Sequence, residues 1–195
     1  AMSQLHAFVS EYSARDQPWR YLFQTTDVIM GTSLCLAGLA TLAWAGRRPL
    51  GRQGWSGVGF VAGGLFSVLD ALVTMDCSPT RSKACLAAEE AGHVSWSHFI
   101  HVGTSTIVVV GFALPILLLN STMTRFRGFG LVVTWAWVVF TLLNGIGAID
   151  WFDGTPMDYT GIWQRFSLGL GTLWWLTLAA DDVVTARALI RTSSC

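Results

Sequence analysis

Long apolar stretches without a charged side chain alternate with short charged segments along the chain. The stretches are continuous, and they are longer than the strands of about ten residues that build a membrane barrel. A membrane-crossing helix needs about 20 mostly apolar residues, and the last stretch reaches that length only if Tyr159–Arg165 belong to it. The pattern predicts an all-α, polytopic integral membrane helix bundle with about five transmembrane helices, at residues 26–46, 55–75, 96–119, 129–149 and 160–181.

The composition agrees with a membrane protein. Hydrophobic residues make up 52% of the 195 residues, and only 12% are charged, about half the share in soluble domains. The 12 basic and 12 acidic residues cancel. These values exclude a disordered chain and a protein that binds nucleic acid through a basic surface. A soluble helical protein is disfavoured because the apolar stretches lack a polar face.

The basic residues predict the orientation, because cytoplasmic loops are enriched in Lys and Arg. They gather in the loops that follow the first and third spans and in the C-terminal tail, as Arg47, Arg48, Arg52, Arg125, Arg127, Arg187 and Arg191. We therefore expect a multi-pass plasma-membrane protein with its N-terminus outside and its C-terminus in the cytoplasm.

The spans also predict the domain organisation. Residues 1–25 are too polar to span and form an extracytoplasmic segment, with an interfacial helix over 3–23 as one expectation. Residues 26–183 form a single transmembrane bundle, and residues 184–195 form a cytoplasmic tail. No signal peptide is visible. Either the N-terminal segment translocates on its own, or a sixth span precedes it.

Two cysteines, Cys77 and Cys85, lie eight positions apart in the second loop, on the predicted outer side. An oxidising exterior favours a disulfide between them; two free thiols are the alternative.

Polar residues inside the spans cluster toward the predicted outer face. They are Asp27, Asp70, His98, His101, Ser105, Asn144, Gln164 and Arg165. Ionisable groups in a bilayer are costly and usually face the protein interior. The third span places His98, His101 and Ser105 on one helical stripe. We therefore predict a polar pocket that opens outward.

Three interpretations of these residues remain open. They form interhelical hydrogen bonds only; they bind a lipid headgroup or small ligand, or support a partner membrane protein or homo-oligomer; or they form a catalytic site. No cofactor is predicted for the binding function. The catalytic alternative is a metal-dependent intramembrane lipid hydrolase with zinc on His98, His101 and Asp70, and with Ser97 near the reaction. For this alternative Ser97, His101 and Asp70 are the candidate catalytic residues.

Three segments, VTMDCSPTRSKAC, SHFIHVGTS and TGIWQRFSLG, resemble a prokaryotic membrane protein family called domain of unknown function 998. The resemblance covers about residues 25–183 and rests on Asp76, Cys77, Cys85, His101, Gly161, Gln164 and Arg165. It implies a bacterial six-span bundle and no established activity, substrate or cofactor.

A fainter similarity joins Ser97, His101 and Asp70 to the superfamily of alkaline ceramidases and adiponectin-type receptors, which are seven-span zinc-dependent hydrolases. This chain has too few spans and no late-span histidine pair, so it departs from that pattern.

Overall fold

The computed structural model describes residues 2–45, 51–152 and 159–193. A short 3-10 helix, Val9–Ser13, precedes six α-helices, and the described residues contain no strand. In chain order the helices are α1 (Arg20–Ala45), α2 (Arg52–Leu72), α3 (Lys83–Glu90), α4 (Trp96–Leu119), α5 (Arg127–Phe152) and α6 (Thr160–Ser193).

Four of the helices are long and apolar enough to cross a membrane: α1, α2, α4 and the Arg127–Gly147 part of α5. The predicted polytopic helical membrane bundle is thereby confirmed. The fifth predicted span, residues 160–181, lies within α6. Gln164 and Arg165 near the start of α6, and the acidic pair that ends this stretch, make it less apolar than the other four. A fifth crossing therefore stays a prediction.

Two helix ends differ from the predicted span limits because hydrophobicity marks the bilayer and not the helix. α1 begins at Arg20, ahead of residue 26, and follows directly on Pro18 and Trp19. α2 ends at Leu72, before residue 75, because the residues that follow make hydrogen bonds to other segments instead of continuing the helix. The carbonyl of Met75 accepts a hydrogen bond from the amide of Arg15 at 3.0 Å.

Glycines allow α2 to pack directly against α1 on one side and α4 on the other. A Cβ added to Gly31 of α1 would lie 2.6 Å from the carbonyl oxygen of Gly64, and one added to Gly111 of α4 would lie 2.5 Å from the Cα of Gly63. Neither position has room for a side chain. Such small-residue contacts drive helix association where lipid removes the hydrophobic advantage of burial.

One end of the bundle is covered by the N-terminal segment and by the loop between α2 and α4, which carries the disulfide. Cys77 and Cys85 form a disulfide with their Cα atoms 5.9 Å apart, which confirms the predicted bridge. We call this the disulfide end. The first residues lie across it: Val9–Ser13 form the 3-10 helix, Arg20 begins α1, and Glu11 is buried against loop residues.

The hydrophobic core lies toward the opposite end, where α4, α5 and α6 meet α2. Trp174 and Ile116 are fully buried there, and Trp137 is 6% exposed. The indole of Trp174 donates to Asn120 Oδ1 at 3.0 Å. At the same end, the carboxylate of Asp181 accepts from the backbone amides of residues 124–126. These contacts hold α6 to the end of α4 and to the loop that precedes α5.

Candidate functional site

A cavity of about 280 Å³ separates α4 from α5 and the start of α6 at the disulfide end. Its wall on α4 runs from His101 to Val110, about 13 Å along the helix axis at 1.5 Å per residue. Val109 and Val110 are 38% and 58% exposed, so the cavity wall continues onto the lipid-facing surface of α4. The opposite wall contains Asn144 and the exposed Gly145 of α5.

The polar end of the cavity is built around His101, which is 2% exposed. Its Nδ1 lies 2.9 Å from the carbonyl oxygen of Val73 and 3.3 Å from Asp70 Oδ1. A ring nitrogen beside a carbonyl carries the proton and donates it. The other nitrogen, Nε2, is buried and has no hydrogen-bond partner among the residues described. His101 lines the cavity, and in the neutral ring that holds its proton on Nδ1, Nε2 is a hydrogen-bond acceptor.

Asp70 fixes this arrangement from α2. Its carboxylate accepts from the hydroxyl of Thr104, and from that of Ser105 at 3.0 and 3.1 Å. Thr104 and Ser105 stand three and four positions after His101 on α4, so all three side chains face α2 across one helical turn. A carboxylate that orients a histidine in this way sets which ring nitrogen is protonated.

A second pair, His98 and Glu89, lies next to the pair of His101 and Asp70, one helical turn toward the start of α4. The Nε2 of His98, which is fully buried, is 3.5 Å from Glu89 Oε1. His98 Nδ1 accepts from the amide of Asp76 at 3.3 Å. The other oxygen of Glu89, Oε2, is buried with no partner in the described part of the chain, and Glu89 lines the cavity.

The N-terminal segment covers the cavity through Glu11, which is 1% exposed. The carboxylate of Glu11 accepts from the hydroxyls of Ser78 and Thr80 and from the amide of Thr80 at 3.1 Å. Its other oxygen accepts from the amide of Phe8 at 3.0 Å. Glu11 therefore has its hydrogen bonds satisfied, in contrast to Glu89.

Asp76 holds the start of α4 to the N-terminal segment. Its carboxylate accepts from the amide and the hydroxyl of Ser95 at 2.6 and 2.8 Å, and it pairs with Arg15 at 3.2 Å. Partial burial raises the pKa of Asp76, but these hydrogen bonds and the charge of Arg15 outweigh it, so the pKa lies below its usual value.

The structure brings part of the predicted set together. Asp70 contacts both His101 and Ser105, and His101, Ser105, Asn144 and Gln164 line the same cavity. The side-chain oxygen of Gln164 accepts from the amide of Val9. Gln164 therefore lines the cavity and also binds the N-terminal segment.

Other predicted residues point elsewhere. His98 faces Glu89 and Asp76. The hydroxyl of Ser97 donates to the carbonyl of Thr74 at 2.9 Å. Arg165 donates to the carbonyls of Ala7 and Gly161 at 2.9 and 2.7 Å. Asp27 of α1 is the exception: its carbonyl accepts from Ser67, and its side chain is close enough to Asp70 for the two carboxyl groups to interact electrostatically.

The predicted zinc ligands His98, His101 and Asp70 do not form a common centre. Within residues 2–45, 51–152 and 159–193 no three His, Cys, Asp or Glu side chains are placed to hold a metal ion. Asp70 lies beside the Nδ1 of His101, and this nitrogen is already hydrogen-bonded to the carbonyl of Val73. His98 points toward the loop residue Asp76.

Sequence reasoning missed Glu89 and Glu11. Both stand in charged segments outside the apolar stretches, where side chains are normally solvated, and nothing in their spacing indicates burial. The disulfide gave an indirect signal, because it folds the loop that carries Glu89 back over the bundle.

Comparison with known proteins gives one relationship. No curated protein and no solved structure matches the chain. A family profile, described as a protein of unknown function (DUF998), matches residues 1–181. That match includes Asp70, His101, the disulfide and the start of α6, so the chain belongs to the DUF998 family of proteins of unknown function.

Proposed function

We propose that the protein binds the polar end of a membrane amphiphile in the cavity between α4 and α5, with the hydrocarbon chain along the exposed valines of α4. The observation that carries this proposal is the Nε2 of His101, a buried polar atom without a partner among described residues, at the end of a largely apolar cavity. Buried polar groups are usually hydrogen-bonded, so a ligand that enters the cavity would complete this one.

Two features favour an amphiphile over a water-soluble ligand. The cavity combines a polar end formed by His101, Glu89 and Asn144 with walls that include Val102 and Val109. Its α4 wall is continuous with surface that faces the hydrocarbon in the proposed bundle. A chain therefore has a route from the bilayer between the two helices without crossing the covered disulfide end.

The alternative, a metal-dependent lipid hydrolase, has less support. Hydrolysis needs an activated nucleophile beside the base, and the hydroxyl of Ser97 is directed to a backbone carbonyl. The hydroxyl of Ser105 donates to Asp70 instead of His101. Binding requires only the oriented imidazole and the apolar walls.

We place the disulfide end on the outer side of the plasma membrane, as the distribution of basic residues predicts. The ligand would then enter from the outer leaflet. Labelling of a single cysteine introduced at exposed Glu90 of the disulfide end with a membrane-impermeant reagent in intact cells tests this part; labelling only after lysis would reverse the orientation.

Gly145 offers a variant that tests the binding proposal. A Cβ at this position meets no described atom within 4 Å, and Gly145 lines the cavity. We expect Gly145→Leu to fill the cavity without disturbing helix packing. Gly103→Leu is the matched control, because Gly103 of α4 is also helical, exposed and free of contacts within 4 Å, but it does not line the cavity.

The measurement is the amount of amphiphile that co-purifies with each form in detergent, determined by mass spectrometry of a solvent extract. We expect about one molecule per chain in the unmodified protein and in Gly103→Leu, and a loss of most of it in Gly145→Leu. Equal amounts in all three forms, or none in the unmodified protein, would contradict the proposal.

A further inference from the structure

We infer that the cavity selects a long-chain primary amine, whose ammonium group binds between Glu89 and the Nε2 of His101. This inference rests on the proposed function, because it names the class of amphiphile that the same cavity takes. Two features of the cavity support it: among the described residues Glu89 has no cation beside it, and the polar atoms without a partner are hydrogen-bond acceptors.

The first observation is that Glu89 is a buried carboxylate without a matching cation. Its side chain is 10% exposed, and its Oε1 lies 3.5 Å from the Nε2 of His98. His98 Nδ1 accepts a hydrogen bond from the amide of Asp76. A nitrogen that accepts carries no proton, so this ring is neutral and offers Glu89 a weak N–H contact and no charge.

The second observation is that the described lining of the cavity offers Glu89 no basic side chain and that two arginines of the disulfide end are engaged elsewhere. Arg15 pairs with Asp76, and Arg165 donates to two backbone carbonyls. The lining residues found in the described part of the chain include no Lys or Arg, but they include Glu11 and Glu89. Residues 148–158, which comprise the last residues of α5 and most of the segment before α6, contain no Lys or Arg in their sequence. A buried charge needs a partner, and the ligand is left to supply it.

The third observation is that the free groups are acceptors. In the neutral ring of His101 that donates from Nδ1 to Val73, Nε2 is an acceptor, and the other unpartnered atoms of cavity-lining residues are Glu89 Oε2 and Asn144 Oδ1. A primary ammonium brings three N–H donors and a positive charge. A phosphate brings only acceptors and negative charge, and a hydroxyl brings one donor.

A ligand series of constant chain length tests the selection. The full-length protein in nanodiscs of zwitterionic lipid is titrated with tetradecylamine, tetradecanol, tetradecyl phosphate and tetradecyltrimethylammonium. Native mass spectrometry gives the dissociation constants. We expect the primary amine to bind at least about tenfold more tightly than the alcohol, since charge-assisted hydrogen bonds are about twice as strong as neutral ones. The quaternary amine, which has the charge but no N–H donor, should bind more weakly than the primary amine.

Glu89→Gln removes the charge and keeps the shape, and Glu90→Gln is its control because Glu90 is exposed on the same helix. We expect Glu89→Gln to weaken the amine by about tenfold and to leave the alcohol nearly unchanged, while Glu90→Gln changes neither. Equal binding of amine and alcohol by the unmodified protein, or tighter binding of the phosphate, overturns the amine inference without touching the proposed function. If none of the four ligands binds, or if Gly145→Leu binds them as the unmodified protein does, the proposed function itself fails.

Discussion

Replacing Asp70 tests the account of how His101 is held. Asp70 accepts hydrogen bonds from Thr104 and Ser105, and it lies 3.3 Å from His101 Nδ1. Asp70→Ala removes this acceptor. Thr104 retains the carbonyl oxygens of Ile100 and His101 at 3.1 and 2.9 Å, and His101 retains that of Val73. Ser105 is the side chain that loses most.

The magnitude follows from those remaining partners. Interhelical hydrogen bonds in membrane proteins contribute about 0.6 kcal/mol on average. The contacts of Ser105 and the long contact of His101 therefore amount to about 1 kcal/mol in the free energy of unfolding. Asp70→Asn keeps an acceptor oxygen for Ser105, so we expect it to cost less than Asp70→Ala.

The opposing model has Asp70 and His101 as a buried ion pair. Removing one partner of such a pair typically costs about 3–5 kcal/mol, because the other charge stays buried without compensation. If His101 is neutral and donates from Nδ1 to Val73, removal of Asp70 leaves no uncompensated buried charge, and this larger cost does not arise. The charge state of His101 therefore determines which of the two magnitudes is observed.

The assay is reversible unfolding in lipid bicelles, followed for the unmodified protein, both Asp70 variants, Ser105→Ala and the double variant Asp70→Ala/Ser105→Ala. We expect a coupling energy near 0.6 kcal/mol between the two positions. A loss of 3 kcal/mol or more in Asp70→Asn would refute the neutral histidine and, with it, the free lone pair that the ligand is proposed to use.

Three other predictions concern the disulfide end. Cys77→Ser/Cys85→Ser opens a loop with a sequence separation of eight, and by chain entropy we expect the free energy of unfolding to fall by about 2.5 kcal/mol. Unfolding measured with and without reductant tests this, and an unchanged free energy would mean that the loop is held by Glu11 and Asp76 alone. Because the folded pKa of Asp76 lies below the 3.8 of the unfolded chain, its stabilisation is complete above that pH and is lost as the pH falls through the folded value. The stability difference from Asp76→Asn should therefore be constant from pH 6 to about pH 4 and shrink as the pH falls further. A difference that stays constant at the lower pH as well would show that the carboxylate charge plays no part. Elemental analysis of the purified protein should give much less than one zinc per chain, and stoichiometric zinc that disappears in His98→Ala/His101→Ala would favour the hydrolase.

The helices were predictable from sequence because each depends on a local apolar stretch. The juxtaposition of Asp70 with His101 was partly predictable, since both lie near the disulfide end of their spans. His101 and Ser105 share a helical face, which fixes their common partner once α2 and α4 are neighbours. That neighbourhood depends on the contact of Gly63 with Gly111, which the hydrophobic pattern does not encode.

The rest of the candidate site depends on long-range contacts. Glu89 and Glu11 belong to charged segments, and they become buried only because the loop and the N-terminal segment fold back over the bundle. His98 shares a helical stripe with His101 in sequence, yet it turns toward the loop because the amide of Asp76 and the carboxylate of Glu89 meet it there. Helical spacing gives a common face but not the partner that each side chain meets.

Photolabelling locates the ligand most directly. A tetradecylamine with a diazirine in its chain is added to the protein in nanodiscs, irradiated, and mapped by peptide mass spectrometry. We predict modification of the α4 segment from Val102 to Val110, competed by unlabelled tetradecylamine and absent in Gly145→Leu. Labelling spread evenly over exposed outer residues such as Leu36 and Val132, without competition, would contradict a ligand-binding cavity between α4 and α5.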